Sequence, residues 1–118
     1  MGPREAGEIV ATEWQRILQL SARHIDPAIP HATHAHPSLR ELFPMVSHGA
    51  LYLSRCTQYP WTHDVAALFP RPGGFHVFRH SDQKVLGEPD TVEEAVGLIV
   101  ANLPDDCGPA IDGTPDDL

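Results

Sequence analysis

Short strand-like runs separated by turn residues fill the middle of the chain, and they constrain the fold more than any other feature. The first run places alternate residues on opposite faces of a strand, and the second is a short apolar run. Proline, glycine and polar residues separate the runs, which is typical of tight turns. The runs cover residues 50–57, 65–69, 75–79 and 84–87, and the turns cover residues 71–74 and 81–83. This spacing predicts an antiparallel meander of three to four strands.

Helical patterns precede the strand-like runs. Apolar residues recur at helical spacing over residues 8–24, and a proline soon afterwards ends the pattern. Residues 25–37 form a connector or a short irregular helix. Ser38, with Glu41 three residues later, is the capping pair of a second short helix, which Pro44 ends.

One further helix follows the runs. Thr91 and Glu94 form a capping pair, and an apolar face continues from there to Leu103. Helices, then a meander, then a C-terminal helix packed on the sheet define an α+β fold. The 118 residues form a single domain, 1–118. We expect residues 1–6 and 105–118 to be flexible or extended.

Charge and composition exclude several classes of function. The formal net charge is −8 and the eight basic residues are scattered, so no basic patch for nucleic acid is predicted. No apolar run reaches transmembrane length, and the N-terminal residues lack the apolar core of a signal peptide. We therefore expect a cytoplasmic protein that contacts no membrane, with Cys56 and Cys107 as free thiols.

Two motifs for chemistry are weak. Four histidines lie between residues 24 and 36, but no carboxylate or thiolate completes a recognised metal-ligand spacing. A solvated loop is therefore favoured over a metal site. Cys56 can pair with His48 or His63 for nucleophilic catalysis, yet its apolar neighbours favour a buried structural thiol. The sequence predicts neither a metal nor another cofactor.

Residues 47–64, here called the recognition segment, combine a strand with an aromatic loop broken by a proline. Arg55 can hold a carboxylate through two parallel hydrogen bonds. Thr57 and Gln58 can bind peptide amides, and Trp61 offers a flat apolar contact. The alternative is equally compatible with the sequence: the aromatic residues then belong to the core, and Arg55 lies on a solvated face.

A family resemblance favours the first interpretation. It rests on EIVATEWQRILQL, HPSLRELFPMVSHGALYLSRCTQYPWTHDV and GEPDTVEEAVGLIVANLPDDCGPAIDGT, which together cover most of the chain. The chain resembles the small actinobacterial family found in biosynthetic clusters for cinnamycin- and duramycin-type lantibiotics, whose members install a lysinoalanine crosslink. The resemblance implies a short, soluble, cofactor-free enzyme that acts as a homodimer on a modified lanthipeptide precursor.

The implied reaction is an aza-Michael addition, in which a lysine amine of the peptide attacks the β-carbon of a dehydroalanine in the same peptide. The resemblance further implies that a hydroxy-aspartate of the substrate transfers the proton, so the protein mainly positions the peptide. The candidate catalytic residues are Tyr52 and His63, and the candidate substrate-binding residues are Tyr52, Arg55, Thr57, Gln58, Trp61, Trp14 and Gln15. Alanine at Arg55 is expected to reduce crosslinking greatly without unfolding the protein. A peptide-binding or immunity-type module that leaves its peptide unchanged is the competing interpretation.

Overall fold

The fold is known from a computed structural model that describes residues 5–118. The helices are α1 (Ala6–Leu18), α2 (Ala28–His34), α3 (Pro37–Arg40) and α4 (Val92–Ala101). The strands are β1 (Phe43–Ser47), β2 (Ala50–Ser54), β3 (Ala67–Arg71), β4 (Gly74–Arg79) and β5 (Lys84–Gly87), and a 3₁₀ turn covers Pro115–Asp117. The expectation of a flexible segment at residues 1–6 lies largely outside the described residues, and α1 begins at Ala6.

The five strands form one sheet in the order β1-β2-β3-β4-β5, and each pair of neighbours is antiparallel. The turn between β3 and β4 centres on Pro72 and Gly73, and Gly73 has a φ of +79°, which glycine adopts without strain. The α+β fold with a meander and a C-terminal helix on the sheet is confirmed. The sheet has five strands because β1 is an additional edge strand.

Strand β1 was not predicted because Pro44 was interpreted as the end of a helix. Proline donates no hydrogen bond to a sheet, but an edge strand tolerates it. Pro44 lies in β1 opposite Leu53 of β2, and β1 is the edge of the sheet. The short helix before it is also shorter than predicted. It begins at Pro37, and its N-cap is His36, whose ring Nδ1 accepts a hydrogen bond from the Ser38 amide at 3.2 Å.

The core lies between the helices and one face of the sheet. Leu51, Leu53, Leu68 and Val77 point to this side and are buried against apolar residues of α1 and α4. Helix α4 starts as predicted, because the Thr91 hydroxyl accepts a hydrogen bond from the Glu94 amide at 3.2 Å. Within residues 5–118, no helix combines the length and the hydropathy that crossing a membrane requires.

The residues just before the C-terminal 3₁₀ turn are hydrogen-bonded to the recognition segment. Ile111 forms a parallel bridge with Cys56. The Ile111 amide donates to the Arg55 carbonyl at 3.1 Å, and the Gln58 amide donates to the Gly113 carbonyl at 2.9 Å. We call residues 110–113 the C-terminal strap. It holds the chain in place just beyond the end of β2.

Candidate functional site

A cavity of about 510 Å³ opens between α1, the β1–β2 hairpin and the loop that precedes β3. This volume falls in the range of sites for small molecules or for a few peptide residues. Most of its lining is apolar or aromatic, with a few polar groups. The lining residues are Glu13, Arg16, Met45, Val46, Ser47, Tyr52, Leu53, Trp61, Thr62, His63, Val65 and His80.

A small polar network shapes the loop that forms one wall of the cavity. The buried Ser54 hydroxyl accepts hydrogen bonds from the amides of Cys56, at 3.2 Å, and Thr62, at 3.0 Å. The Arg55 amide donates to the Thr62 hydroxyl at 2.9 Å. Satisfied buried networks of this kind fix one conformation. The loop therefore folds back over the end of β2 and brings the residues around Thr62 to the cavity.

Trp61 occupies a strained position in this wall. Its φ is +56°, which a bulky residue rarely adopts. Its amide donates to the Gln58 carbonyl at 3.0 Å, while its indole Nε1 is buried without a hydrogen-bond partner among the described residues. Strained backbone and unsatisfied buried donors are concentrated at functional sites. Trp61 thus presents a buried donor in a wall of the cavity.

Arg55 lies outside the cavity lining, and its guanidinium is paired with the carboxylate of Asp64. Its Nε donates to Asp64 Oδ2 at 3.0 Å, and its Nη2 donates to the same oxygen. Both side chains are about one-quarter to one-third exposed, at 26% and 30%. The structure thus places Arg55 in an ion pair, and its role as a clamp for a substrate carboxylate stays a prediction. Arg55 ties the two ends of the loop together.

Thr57 and Gln58 bind the C-terminal strap and not the cavity. The Thr57 hydroxyl donates to Asp112 Oδ1 at 2.8 Å and accepts from the Gly113 amide at 3.2 Å. Gln58 Nε2 donates to the same carboxylate at 3.4 Å. Both residues thus contact the C-terminal strap and lie outside the cavity lining, and their role in binding a peptide stays a prediction.

The two candidates on α1 also lie away from the cavity lining. Trp14 is 1% exposed, and its indole N–H donates to the Leu42 carbonyl at 3.0 Å. This burial corrects the interpretation of Trp14 as a wall of a binding site, since it is a core residue. Gln15 is exposed on the outer surface of α1. Of the predicted site residues, the structure brings Tyr52, Trp61 and His63 to the cavity.

His80 lines the cavity and was missed in the sequence. Its ring centroid lies 5.7 Å from that of Tyr52 and 4.8 Å from that of Phe78. Burial, and to a lesser degree the neighbouring His63, lower the pKa of His80 below its ordinary value. The imidazole is therefore neutral at neutral pH. Alternation along β4 places His80 on the same face as Phe78, but its approach to Tyr52 depends on how three strands align.

Glu13 and Arg16 were also missed, and they form a charged edge of the cavity. The Arg16 Nε and Nη2 donate to the two Glu13 carboxylate oxygens at 2.9 and 2.8 Å. This bidentate geometry fixes both side chains on one turn of α1. The mouth of the cavity thus combines one paired negative and one paired positive group beside an aromatic interior.

The connector histidines and the two cysteines, which the sequence suggested for metal binding or nucleophilic catalysis, lie outside the cavity lining. Three of the connector histidines lie in or next to α2, and His34 packs edge-on against Trp14 with ring centroids 5.2 Å apart. Among residues 5–118, no group of three or more histidine, cysteine or acidic residues is arranged to hold a metal ion. Cys56 is buried and Cys107 is partly buried, and both are free thiols. Burial raises the pKa of Cys107, which disfavours its thiolate.

We predict that His80 titrates below the ordinary histidine pKa of 6.5, because the folded protein favours its neutral form. Replacing His63 with glutamine removes a like charge, so the pKa of His80 rises. It stays below the ordinary value, because burial is the larger cause. An NMR titration of the ring protons measures both values. An unshifted His80 in the wild-type protein would contradict this assignment.

Comparisons with known proteins identify a family without naming an activity. No match was found among curated proteins or among solved structures. One family model matches residues 8–114, which include the cavity lining and the C-terminal strap. Since this match covers most of the 118 residues, the chain belongs to the family of unknown function DUF6193.

Proposed function

We propose that this protein forms a lysinoalanine crosslink in a lanthipeptide. In this reaction a substrate lysine amine adds to the β-carbon of a dehydroalanine, the alkene electrons move onto the α-carbon and its carbonyl, and the α-carbon then takes up a proton. The addition changes no mass and needs no redox step. The observation that carries the proposal is an aromatic, mostly apolar cavity whose wall is the recognition segment, together with the family resemblance of the sequence.

The cavity suits the demands of this chemistry. The lysine amine must be neutral to attack, although its ordinary pKa is about 10.4. An apolar site disfavours the charged form, and the neutral His80 adds no further positive charge. The enolate that develops needs a hydrogen-bond donor, and the Tyr52 hydroxyl is a candidate donor on the cavity wall.

The protein then acts mainly by holding the two reacting groups together. Such positioning can lower a barrier by roughly 7–11 kcal/mol at best. A carboxylate of the substrate's own hydroxy-aspartate carries the proton in this proposal. In this proposal the enolate forms inside the cavity that Tyr52 and His63 both line, and these two are the candidate catalytic residues.

The direct test incubates the purified protein with a thioether-bridged peptide that contains dehydroalanine and free lysine. We expect the lysine amine and the electrophilic alkene to disappear together, as followed by amine-reactive labelling and by thiol addition. If both groups survive while the peptide remains bound, the enzyme proposal fails. The protein would then be a peptide-binding or immunity-type module.

We predict that Arg55 acts through Asp64 and not through the substrate. Arg55→Ala and Asp64→Asn are each expected to reduce the rate of crosslinking on the order of tenfold, because the loop that carries Trp61 loses the ion pair that joins its two ends. Each should lower the free energy of unfolding by roughly 1 kcal/mol, since the pair is partly exposed. Rate measurements on both variants and chemical denaturation test this.

The double variant decides between the two roles of Arg55. If Arg55 holds the loop, combining both changes costs little more than either change alone. If Arg55 instead binds a substrate carboxylate, Asp64→Asn frees the guanidinium, and crosslinking is preserved or increased. That second pattern would support the alternative, in which Arg55 binds a substrate carboxylate.

The proposal extends to assembly and location. We propose a homodimer in the cytoplasm, where the precursor peptide and its other modifying enzymes are made. Sedimentation equilibrium measures the mass of the assembly in solution. A mass equal to one chain of 12.9 kDa at micromolar concentration would reject the dimer but not the reaction.

A further inference from the structure

The sheet face opposite the core carries a cluster of aromatic rings that the helices leave uncovered. We call this set the aromatic face: Tyr52, Phe69, His76, Phe78 and His80. The Tyr52 and Phe69 centroids are 5.7 Å apart with the rings at 84°, and those of Phe78 and His80 are 4.8 Å apart at 87°. These edge-to-face contacts hold the rings in place. The five side chains are partly exposed.

The aromatic face continues directly from the cavity. Tyr52 and His80 belong to both, because they line the cavity and contact the next ring outward. That ring is Phe69, whose centroid lies 5.7 Å from Tyr52 and 6.2 Å from His80. A peptide that leaves the cavity past Tyr52 therefore meets Phe69 next.

The size of the cavity leaves most of a bridged peptide outside it. About 510 Å³ accommodates a few side chains at the reacting position. At the outer end of the aromatic face, the Glu88 carboxylate is shared by His76, at 3.1 Å, and Arg71, at 2.8 Å. The surface next to the cavity is thus aromatic, with a paired charge at its edge, and it fits an apolar ligand better than a charged one.

We propose that the aromatic face binds the thioether-bridged part of the peptide while the cavity holds the reacting lysine and dehydroalanine. This inference rests on the proposed function and names how that substrate is recognised. Thioether sulfur atoms and their methylene groups make favourable contacts with aromatic rings. Rigid, partly exposed rings bind such groups with little loss of conformational entropy.

The test measures binding separately from chemistry. The probe is the thioether-bridged peptide with its lysine amine acetylated, so that no crosslink forms, and calorimetry gives its affinity. The double variant Phe69→Thr, Phe78→Thr removes two rings outside the cavity lining and keeps residues with high strand propensity. We expect at least tenfold weaker binding. The matched control is Leu118→Thr, which removes a 53% exposed apolar side chain elsewhere and should leave the affinity unchanged.

Unchanged affinity in a folded double variant would overturn the proposal. Sedimentation of both proteins tests a second occupant: if the wild type is a dimer and the double variant a monomer, another copy of the chain covers this face, and the proposal is also overturned. If the double variant does not fold, the test is the change in NMR chemical shift of the wild-type ring protons when the peptide is added. Shifts at Phe69 and Phe78 support the proposal, and shifts confined to other residues reject it.

Failure of the enzyme proposal gives a different result. In that case the wild type forms no crosslink in the thioether-bridged peptide that has a free lysine amine. The acetylated peptide still binds the wild type, and it binds the double variant more weakly. Conversely, crosslinking by the wild type together with equal affinities in both proteins rejects the role of the aromatic face alone.

Discussion

Replacing Tyr52 with phenylalanine is expected to slow crosslinking by about a hundredfold while leaving the stability nearly unchanged. Removing one donor to a developing oxyanion typically costs on the order of 10²–10³ in rate. The phenyl ring keeps the edge-on contact with Phe69 and the contact with His80, whose centroids both lie 5.7 Å away. Single-turnover rates with saturating peptide measure the effect on chemistry, and thermal unfolding checks the fold.

The chain offers a matched control in its second tyrosine. Tyr59 is 75% exposed and lies outside the cavity lining, so Tyr59→Phe should crosslink at the wild-type rate. A Tyr52→Phe variant that also reacts at the wild-type rate would show that its hydroxyl takes no part. A variant that binds peptide poorly but reacts normally once saturated would assign Tyr52 to binding.

Replacing Trp14 with alanine is expected to lower the free energy of unfolding by about 3–5 kcal/mol. The side chain is 1% exposed in the core, and its removal leaves a large void as well as an unpaired Leu42 carbonyl. Such a loss is a large part of the stability of a single domain. Urea denaturation followed by circular dichroism gives the value. A change below about 1 kcal/mol would mean that Trp14 is not a core residue.

The two tryptophans form a controlled comparison. Trp14→Phe removes an indole N–H that donates to Leu42, and we expect a loss of about 1–3 kcal/mol. Trp61→Phe removes an indole N–H that is buried without a partner among the described residues, so this change costs less or even stabilises the protein. The same variant is expected to weaken peptide binding. Equal losses of stability in both variants would contradict these assignments.

Local patterns predicted the elements that depend on local chemistry. The Thr91 cap, the turn around Gly73 and the fifth strand at Lys84–Gly87 lie where the sequence indicates them. The first strand was missed because a proline such as Pro44 ends a helix but is tolerated in a strand at the edge of a sheet. Which of the two applies depends on whether the segment pairs with β2, and the residues near Pro44 do not indicate that pairing.

The sequence indicated the segment that lines the cavity, but not the side-chain pairings within it. The recognition segment does form a cavity wall, with Tyr52 and Trp61 on it. Arg55 was assigned to a ligand because residue type alone does not show that Asp64, nine positions later, already pairs with it. His80 was missed for a similar reason: its contact with Tyr52 arises only when β2, β3 and β4 align side by side.

The residues of the cavity wall are synthesised well before the C-terminal strap that hydrogen-bonds to them. During translation, Thr57 and its neighbours emerge more than fifty residues before Asp112 and Gly113, to which they are tied. Domains generally fold as units during synthesis, so contacts with a later segment form only once that segment is present. A nascent chain that lacks residues 110–113 therefore contains β2 and the loop after it, but not the hydrogen bonds that the strap makes to them. The hydrogen bonds that hold this wall therefore form only after residues 110–113 have been synthesised, later than the sheet itself.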